Sequence, residues 1–94
     1  MKGVQVEELT SELRRELDLN PNIHGVVVTD VSPDSPAADA GLRRGDVIEE
    51  MNRKPVDSVA QYRGALRRAG DQSLVLLVSR NGKTTFIVVE PEKH

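Results

Sequence analysis

Ser35-Pro36-Ala37-Ala38-Asp39-Ala40-Gly41-Leu42-Arg43-Arg44-Gly45-Asp46-Val47-Ile48 is the stretch on which the reading of this 94-residue chain turns. Ser35 is a helix-capping residue type, Pro36 suits the first helical position, and Gly41 can supply a left-handed stop, so one short helix is expected between them. Arg43-Arg44-Gly45-Asp46 reads as a turn, and Val47-Ile48 opens a strand that runs to Met51. Asn52-Arg53-Lys54-Pro55 reads as another turn.

Upstream of this stretch, Gly25–Val31 is a β-branched run, too short and too rich in valine for a helix, and is expected to be a strand buried on both faces. Asn20-Pro21-Asn22 breaks the chain before it. Thr10-Ser11-Glu12 can cap a short helix with Leu13 and Leu17 on one face, and Gly3-Val4-Gln5-Val6 alternates as a strand. Downstream, Ser58 and Gln61 stand at the capping-box spacing and Gly70 supplies a stop, so Ser58–Ala69 is predicted to be a helix. Leu74–Val78 and Thr85–Val89 flank Asn81-Gly82, a strong hairpin signal. Short strands joined by short connections imply an α+β, mainly β chain. The expected fold is a mostly antiparallel sheet of five or six strands, or a partly open barrel, capped by two or three short helices.

The length allows one domain, with a core over residues 3–89 and a tail over residues 90–94. Tyr62 and Phe86 are the sole aromatics, so the interior should be aliphatic. Thirteen basic and fifteen acidic side chains, mixed in sign, give a net charge of −2. A nucleic-acid binder needs a basic face and stacking platforms, and neither is here. There is no cysteine, which excludes disulfides and thiolate metal sites. No apolar run approaches the roughly 18 residues that span a bilayer, so a soluble chain without membrane insertion is expected. Met1 set directly against structured sequence, and the charged Glu92-Lys93-His94, suggest a piece of something longer.

Catalytic chemistry is hard to assemble. A Ser-His-Asp arrangement needs a histidine held by an acid and touching a nucleophile, but His24 lies in a loop without a motif and His94 is terminal. Two distant histidines do not make a zinc site. Glu7-Glu8 and Glu49-Glu50 are adjacent in strands and should point to opposite faces, while Glu12 and Glu16 sit beside Arg14 and Arg15 as a solvated surface. Gly41–Asp46 lacks the spacing and the Gly-Lys-Ser/Thr ending of a phosphate loop. No cofactor is expected. On the predicted Ser58–Ala69 helix, Tyr62, Ala65, Leu66 and Ala69 form a core stripe, with Val59 at its border and Arg63 just beyond.

The stretch Ser35–Ile48, followed by Asn52-Arg53-Lys54-Pro55-Val56, closely resembles the signature of PDZ domains, in the phrasing of the HtrA-like (Do-type) serine proteases of bacterial periplasms. The resemblance runs from Gly3 to about Val89 and is nearer to the second, C-terminal PDZ domain of such proteases than to the first. It implies a non-catalytic module that binds free C-termini or extended segments of polypeptides by β-augmentation, as a regulatory part of a periplasmic serine endopeptidase. The implied partners are such segments, together with the protease domain and sister PDZ domain of the parent chain, and the isolated domain is expected to be a monomer. A role in subunit assembly, or a parent that is a membrane-embedded protease or secretion scaffold, is the alternative.

Carried over by position, the family's carboxylate loop falls on Met1-Lys2-Gly3-Val4, with Gly3 at its glycine. The groove strand continues through Gln5 and Val6. Glycine can take conformations that turn successive amides inward, and such a nest attracts an anion. On the helix, Val59 faces the third ligand residue from the end, Arg63 borders mid-groove, Leu66 lines the terminal pocket with Val4 and Val6, and Arg67 lies near the carboxylate. An apolar terminal residue is expected and, because Val59 replaces a hydrogen-bonding side chain, an apolar residue two positions earlier. Lys2 stands where the family usually has a bulky apolar residue, which predicts weak carboxylate capture.

Overall fold

Gly25 stands immediately before the strand that starts at Val26. A side chain there would meet the Ile48 carbonyl oxygen at 2.2 Å, so the backbone of residue 25 lies against the neighbouring strand as only glycine permits. In the computed structural model, which describes residues 1–90, the elements follow in the order β1 (Val4–Glu8), α1 (Ser11–Glu16), β2 (Val26–Val31), α2 (Pro36–Asp39), β3 (Val47–Met51), β4 (Lys54–Pro55), α3 (Val59–Ala69), β5 (Leu74–Arg80) and β6 (Lys83–Val89). The charged residues 92–94, His94 included, lie outside the described residues.

One antiparallel sheet holds all six strands in the order β1-β2-β3-β5-β6, with β4 paired to β3. This is the mainly β, helix-capped architecture expected from the sequence. The caps form as read. The Thr10 hydroxyl accepts from the Leu13 amide, Ser35 from Ala38 and Ser58 from Gln61, each at 3.1 Å. Gln61 reaches back to the Asp57 amide at 2.6 Å, one residue ahead of the cap, which completes the box. Asn81 and Gly82 both take positive φ, the geometry of a tight hairpin turn, and the flanking strands extend right up to it.

Three details differ from the sequence reading. Asn52-Arg53 also forms a tight turn with two positive φ values, so Lys54–Pro55 becomes a two-residue strand instead of loop. A proline can sit there because the strand is at an edge. Val26, Val27 and Val28 are buried, but Asp30 is exposed, so β2 is covered on both faces only in its first half. The register slips at Glu49, between Ile48 and Glu50. This bulge breaks the alternation that would have separated the two carboxylates. Burial raises the Glu49 carboxyl, Glu50 raises it further, and His24 opposes them.

The core is aliphatic. Val26, Val28, Ile48, Met51, Val56, Leu76 and Val78 are at most 1% exposed, with Tyr62 and Ala69 of α3 and Ala37 of α2 closing over them. Among the described residues, Asp46 is the charged side chain that is buried. Its carboxylate takes two hydrogen bonds from Arg80, at 2.7 and 2.6 Å, and one from the Arg43 amide at 2.9 Å. Arg80 also donates to the Gly41 carbonyl at 2.8 Å. The hydrogen bond to Asp46 keeps the guanidinium more firmly protonated than usual. The Gly41–Asp46 turn is therefore nailed to the end of β5, and its own aspartate, not a phosphate, fills its amide.

Candidate functional site

β1 is the first edge of the sheet. It pairs only with β2, so along its other side alternate backbone N–H and C=O groups lack a ladder partner. α3 runs beside that open edge. Between them lies a cleft of about 380 Å³ lined by Val4, Gln5, Val6, Arg63 and Leu66, all five expected from the sequence, by Met1 of the expected loop, and by Glu7, Thr29 and Tyr62, which were not expected there. Val4, Val6 and Leu66 are partly buried and pack on the core, giving the cleft an aliphatic floor. The β1–β2 register slips between Gln5 and Val6, leaving Thr29 as the extra residue, and its hydroxyl donates to the Gln5 carbonyl at 3.2 Å. The bulge is what turns Thr29 toward the cleft.

A second cleft of about 330 Å³ adjoins the first at Met1 and Leu66. Lys2 lines it, together with Pro36, Ala69, Gly70, Leu74 and Val89. Of the expected residues, Gly3, Val59 and Arg67 line neither cleft; Arg67 is exposed, and its guanidinium lies back along the helix 3.9 Å from where a Cβ of Gly64 would stand.

Gly3 is fixed by geometry. Its φ is +77°, and an added Cβ would sit 2.7 Å from the Ser35 Cβ. Its carbonyl accepts from the Ser32 amide at 2.8 Å, and the Val4 amide donates to the Met1 carbonyl at 3.2 Å. The loop is thus a tight turn resting on the Ser35 cap, and one of its amides is spent on the turn itself.

At the far end, the Glu8 carboxylate accepts from the Val59 amide. Val59 is the first residue of α3, so an anion there satisfies a terminal N–H and meets the positive end of the helix dipole. Glu8 thereby ties the groove strand to the start of the helix. Nothing in its local sequence marks this, because the partners are 51 residues apart. Tyr62, beneath the groove, is 4% exposed and its hydroxyl has no hydrogen-bond partner. Burial pushes its pKa up to about 12. Among the described residues, no group of three or more His, Cys, Asp or Glu side chains converges as a metal site, and no helix is long and apolar enough to cross a membrane.

An open sheet edge facing a helix across an aliphatic cleft defines a strand-accepting domain. A family model for the PDZ domain matches residues 27–80, more than half of the chain, and the chain belongs to that family. Among curated proteins it is 31% identical over 91 residues to a probable periplasmic serine endoprotease, DegP-like, of Chlamydia pneumoniae, covering 97% of this chain and 19% of that protein. It is 42% identical over 86 residues to the protein so described from Ectopseudomonas mendocina, covering 90% of this chain and 17% of the other. The chain thus spans about a fifth of the length of these relatives. Among solved structures, the HtrA3 PDZ domain bound to a phage-derived ligand, FGRWV, superimposes with a TM-score of 0.82 at 25% identity, over 98% of this chain and 84% of that one. The HtrA-type protease AlgW with a decapeptide superimposes with a TM-score of 0.81 at 33% identity, over 96% of this chain and 28% of that one.

Proposed function

We propose that residues 3–89 form a single non-catalytic domain that binds C-termini or extended segments of polypeptides as an added strand on β1. The observation that carries this reading is the open edge of β1 facing α3 across a cleft floored by Val4, Val6 and Leu66. The ligand would run antiparallel to β1, its carboxylate at Lys2-Gly3-Val4 and its terminal apolar side chain over Leu66. Gln5 lies along the ligand backbone, Arg63 beside its middle, and Val59 near the third residue from its end. Arg67 is the weakest member, since it would have to swing from its place along the helix. The peptide-bound HtrA3 and AlgW structures support the reading, because this chain superimposes on them over nearly its whole length.

The DegP-like relatives support a parent that is an HtrA-like periplasmic serine endopeptidase. Within it we place this domain as a second PDZ copy that presents or senses substrate for a protease domain elsewhere. Short peptides should bind in the micromolar range, because a few hydrogen bonds and one or two buried side chains are offset by ordering costs.

The test is an NMR titration with a peptide ending in Val, Leu or Phe, set against its C-terminal amide. Shifts at Gly3–Val6 and Val59–Leu66 for the free acid alone are expected. Equal shifts with the amide would mean segment binding without carboxylate capture. No shift with either peptide overturns ligand binding in favour of an assembly role.

A further inference from the structure

β6 is the other edge of the sheet, and it is built differently from β1. Its pairing with β5 runs without a slip from Leu74↔Val89 to Arg80↔Lys83. The two-residue turn makes Arg80 and Lys83 the hydrogen-bonded pair that closes the hairpin, so Lys83, Thr85, Ile87 and Val89 bond to β5. The backbone N–H and C=O groups of Thr84, Phe86 and Val88 therefore point to the open side. Exposed edges are usually blunted by charge, proline or a bulge. Thr84–Val89 has none of these. Phe86 and Val88 are 66% and 50% exposed, the large hydrophobic residues most open to water among those described. Leu77 and Val75, directly across on β5, are only partly buried, so the four make an apolar strip running up to the edge.

We propose that β6 is a self-association edge, on which a second copy of this chain pairs antiparallel through a two-fold axis at Phe86. In this register Thr84, Phe86 and Val88 stand opposite the second copy's Val88, Phe86 and Thr84. Every one of these residues has its backbone groups turned outward, so each facing pair exchanges reciprocal N–H to C=O bonds, and the two apolar strips become one. The charges select the direction. β6 opens on Lys83 and is followed by Glu90, whose carboxylate is held at that end by the Ser73 hydroxyl at 2.7 Å. An antiparallel pair brings the Lys83 end of each copy to the Glu90 end of the other, whereas a parallel pair sets like charges together. One strand pair with these side chains falls short of the roughly 800 Å² per partner of a stable interface, so the dimer is weak and forms at high protein concentration. This inference is independent of the groove on β1 and departs from the monomer expected from the sequence.

Sedimentation velocity over a concentration series reaching the millimolar range tests it. The average mass of the unmodified chain should climb toward the dimer. Thr84→Pro removes an outward N–H without touching a bond to β5, and Phe86→Lys sets two charges face to face at an exposed position. Each should weaken association roughly tenfold or more while the circular dichroism spectrum stays unchanged. Line broadening at the Thr84, Phe86 and Val88 amides should track the dimer. A chain that stays monomeric throughout overturns the proposal. So does a dimer that survives Phe86→Lys, or one dissolved by excess groove peptide, which would put the contact on β1.

Discussion

Two glycine-bearing loops of this chain present backbone amides, and they are held in opposite ways. The Gly41–Asp46 turn carries its own carboxylate: Asp46 is 1% exposed, accepts from the Arg43 amide, and is gripped by Arg80. The Met1–Val4 turn is closed by one backbone bond of 3.2 Å, and is held from outside by the Ser32 amide on the Gly3 carbonyl at 2.8 Å and by the packing of Gly3 on Ser35. A loop filled by its own anion is a structural joint. A loop whose closure rests on a long backbone bond is one that an outside anion can enter. Both contain glycines at positive φ, so local sequence alone does not tell them apart. The difference lies 34 residues away, at Arg80.

The largest effect should come from breaking the joint. Asp46→Ala strands the Arg43 amide and leaves Arg80 without its carboxylate, with only the Gly41 carbonyl still accepting from it, and should cost about 2–4 kcal/mol of stability. Chemical denaturation measures it, and a loss below about 0.5 kcal/mol would mean the turn does not depend on Asp46. Gly3→Ala strikes the other loop. The positive φ and the 2.7 Å approach to Ser35 force the turn to shift, so peptide affinity should fall roughly tenfold for about 1–2 kcal/mol of stability. Calorimetric titration beside a melting curve separates the two effects, and unchanged affinity would remove Gly3 from the site.

Smaller changes sharpen the groove side of the contrast. Val59→Thr should move preference two positions from the ligand end from apolar toward Ser/Thr by a few-fold, read on a peptide array, with little change in stability. Tyr62→Phe should be close to neutral near pH 7, because the hydroxyl has no partner to lose. Its signature is at alkaline pH. With the folded phenol raised from 10.0 to about 12, the unfolded chain ionises first, so stability falls between these values in the parent chain and less in the variant. Identical alkaline slopes would place Tyr62 in a wetter setting.

What could be read from the sequence was local. Ser58 with Gln61 and Gly70 defined α3, Ser35-Pro36 defined α2, and Asn81-Gly82 defined the last hairpin, because capping and turn chemistry act over a few residues. The floor of the groove was equally legible, since Val4, Val6 and Leu66 follow from strand and helix periodicity once the family pattern aligns them. The second cleft was not. Pro36, Ala69, Leu74 and Val89 come from four separate elements and meet only in the folded sheet. Bulges at Thr29 and Glu49 also escaped, because a one-residue slip depends on the partner strand and leaves no mark on its own. Asp46 was read only as part of a turn and Glu8 only as half of a strand pair pointing to opposite faces, and their roles rest on partners far along the chain. The groove strand was placed by resemblance, with Gly3 at the family's glycine, and the family segment matched, residues 27–80, does not include β1.

The edge position of β1 also sets how the molecule opens. A strand with one neighbour, broken by a bulge and pinned at its far end by a single carboxylate, can peel away while the β2-β3-β5 ladder stays closed. Its amides should exchange with deuterium through local opening, at a lower opening free energy than those of Leu76 and Val78, and a bound peptide strand would slow them selectively.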